Sequence, residues 1–310
     1  LPDTSLTLPA FAKINLSLRV LGKRPDGYHE VDTVLQTISL HDTITFTVTE
    51  TPEIVLSCDD RSLPAGADNL VYRAAESLRS RLAPDKGARI RLIKRIPAQA
   101  GLGGGSSDAA VTLMALAHLW QAPARGSELL EVAGALGADV PFFLFGGTTR
   151  GIGSGDKLAS MRDAPDQFLL VVKPNANIAT SDAYGSLKAR SLTTAEAKTI
   201  LSSSERGGIS DSFDSKGFQN DFEPAVFELA PEIRRAKLAL IKAGAKTALL
   251  AGSGSGVFGI FDNGDAQERA IQMIELEAGW RVFLCRTVGR GAYQSALGPA
   301  GKIFALLFGR

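Results

Sequence analysis

The residues most able to do chemistry lie in one stretch, Ile96-Pro97-Ala98-Gln99-Ala100-Gly101-Leu102-Gly103-Gly104-Gly105-Ser106-Ser107-Asp108. Four glycines fall among the five residues Gly101–Gly105, so the backbone can approach a bulky anion with no Cβ in the way. An apolar segment with helical character follows. Its first turn would offer unpaired N–H groups and the positive end of its dipole. Glycines, amides and the hydroxyls of Ser106 and Ser107 together make a phosphate cradle. The bland alternative is a flexible loop without a ligand; the strand-like Ala88–Ile96 before it and the helix after it favour the cradle. It is not a Walker A loop, because no Gly-Lys-Ser/Thr follows. Nor is it the dinucleotide fingerprint, because Ser106 stands where a third Gly or Ala belongs.

Asp139 is the candidate proton acceptor. It follows Gly137, where a helix should stop, and precedes Val140-Pro141. Read without further context, a solvated or capping aspartate is the better reading. Two cysteines, Cys58 and Cys285, stand far apart in no metal-ligand spacing, and only three histidines occur. A zinc site is therefore not expected, and the cysteines read as reduced thiols of a cytosolic protein. Of the histidines, His41 and His118 read as structural, His118 lying within an apolar helix.

The elements that must position these residues alternate between strand and helix patterns. From Ala12 to Val20, Ile14, Leu16, Leu18 and Val20 share one face. Lys13, Asn15, Ser17 and Arg19 share the other, which predicts a half-buried strand. Pro25-Asp26-Gly27 signals a turn, Val31–Leu40 a β-rich stretch and Thr43–Thr49 another strand. Asp68 is placed to cap a helix carrying Leu70, Ala74, Leu78 and Leu82. A helix runs from the glycine loop through Trp120. Another carries Leu129, Val132, Ala133 and Leu136 and ends at Gly137. Gln167–Val172 reads as a strand and Ser202–Lys216 as a mobile loop. Pro231 and Gly244 bracket a helix. Lys246–Ala251 and Val257–Asp262 are strands joined by a Gly/Ser turn.

A chain of 310 residues, 45% hydrophobic and 22% charged, is long enough for two globular domains of about 150 residues each. The boundary falls near Ala159–Asp166, giving domains 1–163 and 164–310. The mixture of antiparallel-looking strands and helices argues for an α+β fold. A net charge of +1 gives no bulk case for nucleic acid or membrane binding. No apolar run is long enough to span a bilayer, and Leu1–Pro9 lacks the pattern of a signal peptide.

The glycine loop, Pro97-x-x-x-Gly101-Leu102-Gly103-Gly104-Gly105-Ser106-Ser107, resembles the second motif of the GHMP kinase superfamily, which includes galactokinase, homoserine kinase and mevalonate kinase. Ala12-Lys13-Ile14-Asn15-Leu16 resembles its first motif and Ala251-Gly252-Ser253-Gly254-Ser255-Gly256 its third, in the family's order. Asp26-Gly27-Tyr28-His29, Asp68-Asn69-Leu70 and Gly137–Phe143 resemble the branch that acts on a cytidine diphosphate-linked methylerythritol. The resemblance implies an ATP-dependent kinase of the non-mevalonate isoprenoid route that phosphorylates the 2-hydroxyl of that small molecule. It also implies a ribosomal-protein-like N-terminal domain and a ferredoxin-like C-terminal domain.

What the resemblance implies for single residues is as follows. Asp139 takes the substrate proton, and the ammonium of Lys13 keeps it ionised; a plain surface lysine is the alternative. Asn15 hydrogen-bonds substrate. Tyr28 and His29 grip the cytidine end, with Thr180 and Tyr184 completing the clamp. Asn69 and Lys94 lie on the adenine side of ATP, although Asn69 could equally be the first residue of the helix that Asp68 caps. Pro97, Ala98, Gln99, Ala100, Gly101, Leu102, Gly103, Gly104, Gly105, Ser106 and Ser107 hold the phosphates. Mg2+ accompanies ATP, held mainly by phosphates and water in the absence of a carboxylate cage. A cytoplasmic monomer or weak homodimer is expected. A homoserine- or mevalonate-type kinase and a non-catalytic nucleotide-binding protein remain the rivals.

Overall fold

The computed structural model describes residues 4–122, 125–199 and 217–303; the loop expected at Ser202–Lys216 lies outside the described residues. Two long strands form the frame. β1 (Ser5–Lys23) and β2 (His29–Thr49) pair antiparallel through almost their whole lengths, joined at the Pro25–Gly27 turn. Val31–Leu40 and Thr43–Thr49 are therefore one strand, not two. β3 (Ile54–Cys58) and β4 (Gly87–Ile93) extend this sheet beyond the C-terminal half of β2. β5 (Thr148–Gly153) pairs with its N-terminal half, and β6 (Lys157–Ser160) with β5. A two-residue strand, β8 (Gln219–Asn220), runs parallel to β1 on the far side.

Helices α1 (Leu70–Leu82), α2 (Gly104–Leu119) and α3 (Gly126–Leu136) bury their apolar sides in one core with this sheet. The cap of α1 is Asn69, not Asp68. The Asn69 side chain accepts a hydrogen bond from the Val71 N–H at 2.9 Å, so the helix starts one residue later than the pattern suggested. α2 is buried almost all round, which suits a helix at the centre of a core. α3 stops at Gly137 as expected, and a single turn, α4 (Phe142–Phe145), follows.

The second sheet contains β7 (Phe168–Lys173), β9 (Thr247–Leu250), β10 (Val257–Phe261) and β11 (Arg281–Arg286), in the spatial order β11-β7-β10-β9. Helices α5 (Thr180–Ser186), α6 (Glu223–Leu229) and α7 (Pro231–Lys242) lie between β7 and β9 in the chain, and α8 (Gly264–Met273) between β10 and β11. A βαββαβ succession with first and fourth strands adjacent is the ferredoxin-like arrangement.

The two sheets meet through β1. Ala12, Ile14 and Leu16 pack against Leu169, Val171, Leu249 and Phe258, and Leu18 continues into the core of the second half. Period two then turns Lys13 and Asn15 to the opposite side. That side is also covered, so both are buried, and the expected half-buried strand is enclosed on both faces here. Cys58 and Cys285 carry free thiols.

Candidate active site

The glycine loop lies in a cleft of about 570 Å³ between the two halves. Lys13, Asn15, Asn69, Lys94, Pro97–Ser106, Asp139, Thr180 and Tyr184 all line it. Both sides of the loop explain its glycines. Gly101 has φ +71°, and a Cβ there would stand 1.8 Å from the Ala251 carbonyl oxygen, in the third glycine-rich turn. Gly103, with φ +70°, caps α2, and a Cβ there would meet the Phe143 ring at 2.9 Å. No side chain fits either place. The loop is also tied to the second half, because Ser255 N–H donates to Gln99 O and Gly256 N–H to Ala100 O.

β1 delivers Lys13 to the floor of the cleft. Its N–H donates to Leu102 O at 2.9 Å, which fixes the strand to the loop. Its Nζ donates to Asn15 Oδ1 at 2.9 Å and stands 3.5 Å from Asp139 Oδ2. Asn15 in turn donates to Thr33 Oγ1 at 2.8 Å, so its amide is oriented. Lys13 is only 4% exposed, whereas the Asp139 side chain is 43% exposed. The turn after α3 therefore presents a carboxylate to the cleft with room for a substrate beside it.

Lys94 has a different environment. Its ammonium bonds Asp42 and also Asp108 Oδ2 at 2.7 Å. Asp42 further accepts the backbone N–H groups of Arg95 and Ile96. Burial works against the charge on Lys94, but Asp108 and Asp42 outweigh it and raise its pKa. Burial pushes the Asp108 carboxyl up to about 8, with Asp42 adding to the shift and Lys94 opposing it. Asn69, whose Oδ1 caps α1 and whose Nδ2 donates to Pro64 O at 2.7 Å, also lines the cleft.

At the other end, Thr180 Oγ1 lies 3.2 Å from Ser253 Oγ. The Tyr184 ring lies against His29 (centroids 4.7 Å apart) and edge-on to Phe222 (4.8 Å). Burial, then Asp139, raises the Tyr184 pKa to about 12, so its phenol stays neutral. Burial and then Lys23 lower that of His29. Tyr28 is 66% exposed, in the connection between β1 and β2. Tyr28, His29 and Ser107 are the candidates that do not line the cleft; Ser107 is enclosed in α2.

The site suits a triphosphate. The loop cradle is open on the cleft side. Gly103, Gly104, Gly105 and Ser106, at the start of α2, line the cleft with their backbone and the Ser106 side chain; the buried atoms Ser107 Oγ and Asp108 Oδ1 have no hydrogen-bond partner in the protein. Among the described residues no group of three or more His, Cys, Asp or Glu is placed to hold a metal ion. Sequence reasoning missed Asp42 and Phe222 as parts of the site. Asp42 carries no local signal, since its partners lie more than 50 residues away. Asp108 and the Gly252-Ser253 turn stood within motifs already noted.

Comparison with known proteins agrees with this architecture. The model for the N-terminal domain of GHMP kinases matches residues 69–147, and that for the GHMP kinase C-terminal domain residues 208–278. A 4-diphosphocytidyl-2-C-methyl-D-erythritol kinase of Pelotomaculum thermopropionicum is 44% identical over 82% of this chain and 88% of its own length. One from Solibacter usitatus is 40% identical over 93% and 90%. A crystal structure of a 4-(cytidine 5'-diphospho)-2C-methyl-D-erythritol kinase superposes with a TM-score of 0.75 at 33% identity, covering 92% of this chain and all of that one. A homoserine kinase from Cytophaga hutchinsonii shares the fold, with a TM-score of 0.71 at 19% identity over 94% of this chain and 96% of its own. The chain belongs to the GHMP kinases and, within them, to the 4-diphosphocytidyl-2-C-methyl-D-erythritol kinase family.

Proposed function

We propose that this chain transfers the γ-phosphoryl group of ATP to the 2-hydroxyl of 4-diphosphocytidyl-2-C-methyl-D-erythritol, a step of non-mevalonate isoprenoid precursor synthesis. The observation that carries the chemistry is the Lys13–Asp139 pair, 3.5 Å apart beside a glycine cradle. The substrate rests on the family's 37–44% identical members. ATP supplies the phosphoryl group, and Mg2+ neutralises charge on it.

Asp139 accepts the proton of the acceptor hydroxyl as its oxygen bonds to phosphorus. Lys13 holds positive charge beside the transferring group and is itself oriented by Asn15 and Thr33. The first-turn amides of α2 and the backbone of Pro97–Gly105 receive phosphate oxygens. Ser106 adds a hydroxyl that lines the cleft, while Ser107, enclosed in α2, would have to open to reach a phosphate. Asn69 and Lys94 flank the adenine. Tyr28, His29, Thr180 and Tyr184 hold the cytidine end. Little covalent work falls to the protein, so placement accounts for most of the rate.

In this reading residues 1–163 carry the nucleotide and the catalytic pair, and residues 164–310 close the substrate cleft. The cation is held by phosphates and water. The enzyme so proposed is a cytoplasmic one acting on a small molecule, as a monomer or weak dimer; among the described residues no helix is long and apolar enough to cross a membrane. ADP release measured with a panel of alcohols tests the substrate. Turnover is expected with the cytidylyl compound and not with homoserine or mevalonate. Turnover of mevalonate without the cytidylyl compound would overturn the assignment.

A further inference from the structure

The chain leaves the second sheet at β11 and at once re-enters the core of the first half. The helix that does so is α9 (Arg290–Ala296), whose Tyr293 is fully buried among Phe11, Phe142 and Phe143. The Tyr293 hydroxyl donates to Phe143 O at 2.5 Å. Its ring fills the place of a side chain at Gly146, where a Cβ would stand 2.2 Å from Tyr293 Cδ1. Arg290 binds the same turn. Its Nη2 donates to Gly146 O at 3.2 Å and Thr148 O at 2.7 Å, and its backbone N–H to Asp163 Oδ2 at 2.7 Å.

These bonds bear on Asp139 because of what they hold. Asp139 sits four residues before Phe143, in a turn whose own backbone bonds are Val140 N–H to Gly137 O and Phe143 N–H to Val140 O. Phe143 faces two ways. Its carbonyl is held by Tyr293, and its ring lies against Gly103 of the glycine loop. One residue thus sets the spacing between the carboxylate and the cradle.

We infer that Tyr293, assisted by Arg290, is a positioning residue: it fixes the Asp139 turn against the glycine loop through the carbonyl and ring of Phe143. This rests on the reading of Asp139 as proton acceptor. Misplacing a reacting group by about 1 Å can cost about 100-fold in rate. A lost hydroxyl should shift the turn by less.

The test is Tyr293→Phe in the full chain, which removes the hydroxyl and keeps the ring. The expected result is kcat about 10-fold lower, with KM for both substrates changed less than about twofold. In an Asp139→Asn background the same change should cost nothing further, because the positioned group is already gone. An unchanged kcat, a loss confined to KM, or an equal loss in the Asp139→Asn background would each overturn the inference. Should Tyr293→Phe fail to fold, Arg290→Lys serves the same cycle with the same criteria. A single Asp139→Asn variant with near-normal kcat would instead overturn the Asp139 reading, an outcome distinct from any given by Tyr293.

Discussion

Two lysine–aspartate sites flank the same glycine loop, and they are built in opposite ways. Lys94 is locked between Asp42 and Asp108, and Asp42 also accepts two backbone N–H groups. Lys13 stands 3.5 Å from one oxygen of Asp139, a carboxylate that is 43% exposed. The first arrangement is nearly complete in itself; the second leaves a carboxylate with lone pairs to spare. A group that must take a proton during turnover cannot have its oxygens fully committed beforehand. The contrast therefore separates a site that holds the loop's base in place from one that, on the proposed reading, does the chemistry.

The largest effect expected from this contrast is on turnover. Asp139→Asn keeps the shape but removes the proton acceptor, so kcat should fall about 10³-fold, within the usual range for lost general-base catalysis. Folding should change less than at the locked site, because the Asp139 carboxylate is 43% exposed and touches Lys13 at only 3.5 Å, while the buried Lys13 keeps its bond to Asn15. Steady-state kinetics and urea unfolding on the same sample check both halves. Near-normal turnover would remove the distinction between the two sites.

Lys94→Met should show the reverse pattern. It leaves two buried carboxylates with no cation, and breaking a buried pair in this way costs about 3–5 kcal/mol. The loss should appear as a lower urea midpoint with an unchanged slope. KM for ATP should rise as well, since Lys94 is proposed to flank the adenine; a stability change of less than about 1 kcal/mol would show that the lock is not structural, and the contrast would break.

How far the sequence reveals this depends on the range of each interaction. The glycine cradle, the alternating face of β1 and the helix stop at Gly137 are local patterns, and the structure keeps them. The choice between Asp68 and Asn69 as cap is not decided locally, because both are good caps; the start of α1 at Leu70 selects Asn69. The burial of Lys13 was hidden for another reason. Alternation shows that it opposes Ile14, but not that a second covering layer, the glycine loop and its glycine-rich neighbour, closes that face too. Asp42 and Tyr293 act through partners more than 50 residues away, where no spacing rule reaches.

The finest test of the contrast is pH. The locked site holds two carboxylates and one ammonium, so one negative charge is in excess. Burial pushes Asp108 up to about 8, above the usual carboxylate range. A carboxyl whose folded pKa is raised binds more protons in the folded state. Its contribution to stability is complete below the unfolded value of about 4 and is lost as pH rises through the folded one. Wild-type stability should therefore fall between pH 6 and 8, by at most about 1.4 kcal/mol per unit from this one group. Asp108→Asn leaves Lys94 and Asp42 as a balanced pair, so the slope in that window should flatten while the fold persists. Urea unfolding across the range decides. A wild-type slope that survives in Asp108→Asn would mean that the titrating group lies elsewhere and that Asp108 stays ionised, leaving the locked site with its excess negative charge.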